Sequence, residues 1–138
     1  MTAEPAAVAR TSNGVEVRLE DLRRSYGPVH ALDGLSLTLA PGELVTLLGP
    51  SGCGKTTALR ILAGLDEPTS GRVVVGGRDL TPVPANKRDM GMVFQAYSLF
   101  PHLTSRANVE FGLKLRGVPA GRRRTRALEM LELVGLSA

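Results

Sequence analysis

Eight consecutive residues, Gly49-Pro50-Ser51-Gly52-Cys53-Gly54-Lys55-Thr56, set two glycines five apart and close on a Lys-Thr pair. The chemistry this spacing suits is the binding of phosphate. Glycines let a loop curl so that successive backbone N–H groups converge on one anion. If a helix begins at the end of the loop, its unpaired N–H groups and positive dipole end face the same anion. Lys55 is then expected to reach the β- and γ-phosphates, and the Thr56 hydroxyl to meet Mg²⁺. Pro50, Ser51, Cys53 and Thr57 are expected to complete the contact set, with Cys53 a small side chain where mainly the backbone is needed. The alternative is a glycine-rich turn with a lysine in solvent, and the flanking elements decide between the two.

Those flanks have the required form. Residues 44–48 are a near-continuous apolar run after a Pro41-Gly42 turn, as a buried strand would be. Beyond the loop, Ala58, Ile61, Leu62 and Leu65 recur at i, i+3, i+4 and i+7, the spacing of one apolar helix face, and Gly64 can end that helix. Val15, Val17 and Leu19, then Leu35, Leu37 and Leu39, alternate with polar residues as half-buried strands do. Short strands are also expected at Arg72–Val75, between Gly71 and Gly76-Gly77, and at Gly91–Phe94. After Pro119, Ala127, Leu128, Leu131 and Val134 mark another helix, with Gly135 near its end. Residues 109–115, VEFGLKL, alternate strictly, and by period alone they read as a strand. There is no internal repeat.

A chain of 138 residues is one domain's worth and can bury roughly two-thirds of its unfolded surface. The lone Cys53 excludes an internal disulfide framework and suits a reducing compartment. Residues 1–14 lack the apolar core of a secretory signal and read as a flexible N-terminal tail. No apolar run approaches the roughly 20 residues of a membrane span. A soluble, cytoplasmic protein is expected. The net charge of +4 is local, since Lys114, Arg116, Arg122, Arg123, Arg124 and Arg126 lie in a stretch with no acid. Without them, acidic residues outnumber basic ones. With no aromatic residues interleaved for base stacking, this stretch reads as a solvated helix face and not a nucleic-acid groove.

The run LDGLSLTLAPGELVTLLGPSGCGKTTALRILAGLDEPTSGRVVVGGRDL, followed by MGMVFQAYSLFPHLT, resembles the ATPase subunits of ATP-binding cassette (ABC) importers. The likeness runs from about Val15 to the last residue, and its flanks are far more specific than the glycine loop alone. It implies an α/β fold: a P-loop NTPase core with an N-terminal antiparallel β subdomain over 15–95, and the start of a helical subdomain over 96–138. It implies ATP as ligand, with Tyr26 stacked on adenine. Gln95 would approach Mg²⁺ and the attacking water, and so joins Lys55 as a catalytic residue and Thr56 as a metal contact. Ser98–Thr104 (SLFPHLT) would meet membrane permease subunits, with His102 a surface contact. Two ATPase subunits would pair, and the protein would sit peripherally on the inner face of the cell membrane.

The same likeness makes 105–115 helical, against its period. The expected Thr-x-x-Glu capping box is incomplete, because Ala107 stands three residues after Thr104. Hydrolysis in this family also needs an apolar strand ending in Asp-Glu, a Leu-Ser-Gly-Gly-Gln signature and a switch histidine. None of these is present in the 138 residues. They are therefore read as an N-terminal fragment that does not turn over ATP alone. Three other functions share parts of this pattern. A P-loop kinase usually carries its loop at the chain's start, whereas 48 residues precede it here. A cassette ATPase of DNA repair fits poorly with SLFPHLT. A nucleotide-binding module without catalysis describes the fragment itself. The transported solute, whether polyamine, ferric iron, sulfate or sugar, is not encoded in these motifs.

Overall fold

The structure, a computed structural model, describes residues 14–96 and 98–136. The expected N-terminal tail lies outside them except for Gly14. The described chain divides between Met92 and Val93 into two compact units.

The first unit is built on four antiparallel strands in the order β2-β1-β3-β4: β1 Val17–Tyr26, β2 Val29–Leu39, β3 Ser70–Val75 and β4 Arg78–Asp79. β1 and β2 form a hairpin with Tyr26 opposite Val29 across a Gly27-Pro28 turn. The expected alternation in β2 holds: Leu35, Leu37 and Leu39 are half-buried, while Ser36 and Thr38 are exposed. In β1 the parity changes midway. A register shift between Leu19 and Leu22, with Asp21 at φ 46°, inserts one extra residue and brings Leu22 to the buried face. Helix α1, Lys55–Leu62, lays Ala58 and Ile61 against Leu19, Leu22, Leu32 and Val73 to close the core. Leu22 and Ile61 are completely buried in this contact, and truncating either to Ala costs about 2–5 kcal/mol.

The second unit pairs α2, Ser105–Leu115, with α3, Ala120–Leu133. α3 buries Ala127 and Leu131 as the spacing predicts, but Leu128 and Val134 face solvent. Arg122, Arg124 and Arg126 are exposed, in keeping with a solvated face, and Arg123 turns back to within 3.8 Å of Glu110. α2 settles the conflict over 105–115 in favour of a helix. The Thr104 side chain accepts a hydrogen bond from the Ala107 N–H at 3.2 Å, so half of the capping box suffices.

Two expectations fail. Residues 44–48 and 91–94 form no strand, and Leu44, Leu48 and Val93 are highly exposed. The strands that do form, β1–β4, pair only with one another. A buried parallel strand draws its hydrogen bonds from partners distant in sequence, and no described strand pairs with either segment. Among the described residues, no helix is long and apolar enough to cross a membrane.

Candidate functional site

The glycine loop is anchored at both ends. Gly54 caps α1 with φ 87°, and a Cβ there would collide with the Ala31 carbonyl and the Leu32 side chain. Only glycine lets the loop rest this closely on β2 in that conformation. At the other end, a Cβ on Gly49 would lie 2.8 Å from Cys53 Sγ, and the Cys53 N–H closes a turn onto the Pro50 carbonyl at 3.4 Å. Lys55 folds back across the loop, its Nζ donating to the carbonyls of Gly49 and Pro50 at 2.7 Å each, and lying 3.3 Å from Cys53 Sγ. The ammonium is thus held within the loop. α1 has no side-chain cap and no acidic residue in its first turn, so no carboxylate there competes for the leading N–H groups. Ser51, Gly52 and Thr56 are exposed, and Thr57 is half-buried at the start of α1. The Lys55 ammonium and the uncapped first turn of α1 are the kinds of donor that bind phosphate.

Tyr26, the last residue of β1, belongs to a cluster that sequence reasoning missed. The Arg24 guanidinium carbon lies 4.5 Å from the centre of its ring. The Tyr26 hydroxyl donates to Asp66 Oδ2, and Arg24 Nη2 reaches Asp66 Oδ1 at 2.7 Å. The Tyr26 hydrogen bond, the Glu67 N–H and Arg24 together hold the Asp66 carboxyl below the usual carboxylate range. The Arg24 pKa is raised from its ordinary value by Tyr26 first, then by Asp66. Arg24 and Tyr26 stand two apart on one strand, the only local signal of the cluster. Asp66 lies forty residues away, and only the fold brings it close.

The remaining expected residues are in the second unit. Gln95 is exposed in a turn. In the 98–104 stretch Leu99 and His102 face solvent, and the Phe100 ring packs 4.5 Å from Phe111 and edge-on to His102. Asn108 organises this stretch, and its role was not anticipated. Its Oδ1 accepts from the Phe100 N–H at 2.8 Å, while Nδ2 donates to the carbonyls of Phe100, Leu103 and Thr104 at 3.1–3.2 Å. An asparagine in the first turn after a Thr cap was the available signal. The first unit holds the glycine loop and Tyr26, and the second holds Gln95 and Ser98–Thr104.

Comparison with known proteins bears on the family. The chain is 59% identical over 120 residues to the Fe(3+) ions import ATP-binding protein FbpC of Brucella suis, covering 87% of this chain and 34% of that protein. It is 51% identical over 140 residues to the spermidine/putrescine import ATP-binding protein PotA of Thermobifida fusca, covering 97% and 36%. It therefore spans about a third of the length of these relatives. Among solved structures it resembles the dimeric bacterial ABC transporter cassette MJ0796, with a TM-score of 0.76 and 32% identity over 84% of this chain and 56% of that one. A post-hydrolysis state of the same cassette bound to ADP and Pi gives 0.73 and 33%. The profile of the ABC transporter family matches residues 32–138, a span that holds the whole glycine loop, α1 and the asparagine-braced 98–104 stretch, and the chain belongs to that family.

Proposed function

We propose that this chain is the nucleotide-binding part of an ABC importer's ATPase subunit, coupling ATP binding and hydrolysis to solute entry through membrane subunits. The observation that carries this is the Gly49–Thr56 loop, closed around the Lys55 ammonium at the uncapped start of α1. In this proposal the loop amides and Lys55 hold the β- and γ-phosphates, Gly49 to Thr57 line them, and Tyr26 stacks on adenine. In the same proposal Mg²⁺ takes oxygen donors, the kind offered by the exposed Thr56 hydroxyl and by the Gln95 side-chain carbonyl. When bound, it neutralises charge on the transferring phosphoryl group. Gln95 also positions the attacking water.

The proposed organisation is a nucleotide-binding core with its β subdomain over 15–95 and a helical subdomain beginning at 96. Two such subunits sandwich ATP, and Ser98–Thr104 docks on the membrane subunits, which places the protein peripherally on the cytoplasmic face. Nucleic acid is not a partner. The cargo is a small solute, with ferric ion and polyamines the candidates suggested by the relatives' names.

ATP turnover needs groups that position water and spread charge, and the apolar strand ending in Asp-Glu, the signature and the switch histidine that do so in this family are absent from these 138 residues. The expected outcome is that the complete protein hydrolyses ATP, that Lys55→Ala lowers this by at least about a hundredfold, and that the isolated 138-residue chain shows no steady turnover. Lys55-dependent hydrolysis by the isolated chain would overturn the division of labour proposed here.

A further inference from the structure

The Arg24–Tyr26–Asp66 cluster has a geometry that a surface ion pair does not need. Arg24 occupies one face of the Tyr26 ring, so a planar ligand is left the other face. The hydroxyl is fixed by Asp66 Oδ2, while the same carboxylate takes Arg24 on Oδ1. Ring face, ring tip and cation are thus held by one acid whose side chain is only 11% exposed. The Glu67 N–H, donating to Asp66 Oδ1 at 2.8 Å, fixes the carboxylate in turn. Yet Tyr26 itself keeps 46% of its surface accessible.

The anchor is tied to the loop's own support. Asp66 follows α1, the helix whose first residues carry Lys55 and Thr56 and whose Ile61 is fully buried in the core. The segment after Asp66 is fastened to the end of β1. The Thr69 N–H donates to the Arg23 carbonyl at 2.7 Å, and the Ser25 N–H to Thr69 Oγ1 at 3.1 Å. A tyrosine at a hairpin tip would otherwise lose rotamer freedom when a base stacks on it. Here that freedom is removed beforehand, and a cation behind the ring is placed to polarise it.

We propose that Arg24 and Asp66 are positioning residues that hold the Tyr26 ring as a preset platform for the nucleotide base, setting base affinity without touching the nucleotide. This rests on the stacking role proposed above for Tyr26. Releasing one side chain from a preset rotamer weakens binding by about two- to tenfold. The effect falls on the base and not on the phosphates, which the Gly49–Thr56 loop holds.

The test is titration of the complete protein with MgATP and with magnesium tripolyphosphate, which has no base. Asp66→Ala, Arg24→Ala and Tyr26→Phe, which keeps the ring but loses its tether, should each raise the Kd for ATP about three- to tenfold. Their Kd for tripolyphosphate should move by less than twofold, which also shows that the variants fold. Asp66→Asn, which retains an acceptor for the hydroxyl but loses the negative charge that pairs with Arg24, should fall between wild type and Asp66→Ala. In a Tyr26→Ala background, Asp66→Ala should add no further loss. If Tyr26→Ala weakens ATP binding while the Arg24 and Asp66 variants do not, or if they weaken both ligands equally, the positioning role is overturned and stacking stands. If Tyr26→Ala leaves ATP affinity unchanged, the stacking role falls and the platform with it.

Discussion

Lys55 and Cys53 sit two residues apart and share the inside of one loop, with Nζ and Sγ 3.3 Å apart. The lysine is steered there by two backbone carbonyls, so its position depends on the loop's path more than on its neighbours' side chains. Cys53 contributes a small exposed thiol beside Gly49 and the ammonium. A group added to that sulfur would stand where the phosphates are proposed to sit. Maleimide is therefore expected to modify Cys53 and block nucleotide binding, with saturating MgATP slowing the labelling. Cys53→Ser should bind nucleotide normally and resist the reagent. A labelling rate indifferent to MgATP would place the thiol away from the nucleotide.

Helix α1 is fixed at both ends, and by different means. Its start is pinned by the glycine loop on β2, and its end by Arg88, which is 7% exposed. That guanidinium donates to the carbonyls of Ile61 and Leu62 at 2.8 Å each, of Val83 at 2.6 Å and of Thr81 at 3.1 Å. A cation there satisfies carbonyls that a helix terminus leaves open and opposes the negative dipole end. Burial pushes the Arg88 pKa down from the ordinary arginine value, and Asp79 acts against that shift. Arg88→Ala leaves several carbonyls unsatisfied and is expected to destabilise the protein by about 2–3 kcal/mol. The urea midpoint should fall accordingly. Arg88→Lys should recover only part of this, because one ammonium cannot span four carbonyls as a planar fork does. In α2 the alternating letters of 109–115 pointed to a strand, but the half-buried residues are 107, 108, 110, 111 and 113. The Thr104 cap and Asn108 start the helix, and Val109 and Leu115 simply face out.

For the molecule as a whole, the proposed contacts with membrane subunits depend on a surface stretch that holds its shape through Asn108. Photo-cross-linkers at Ser98 or His102 in the complete protein are expected to capture a membrane subunit. Asn108→Ala should lower that yield while leaving the affinity for MgATP within about twofold, since each of its hydrogen bonds is worth roughly 1 kcal/mol to the local conformation. Capture of DNA instead would favour a repair ATPase.

Local chemistry was legible from the residues alone. The glycine loop, the start of the helix after it, the alternation in β2 and the turn at Gly76-Gly77 depend on contacts within a few residues and appear where their spacing put them, but that helix ends at Leu62 and leaves Leu65, expected on its apolar face, exposed beyond it. Longer-range features were not. The bulge at Asp21 that turns Leu22 inward, the acid at 66 that holds a ring at 26, and the arginine at 88 that caps a helix ending at 62 all join residues far apart in sequence. No local period encodes such pairs. The apolar runs at 44–48 and 91–94 mark the same limit from the other side, for hydrophobicity can nominate a strand, but hydrogen-bonding partners from elsewhere in the chain must complete it.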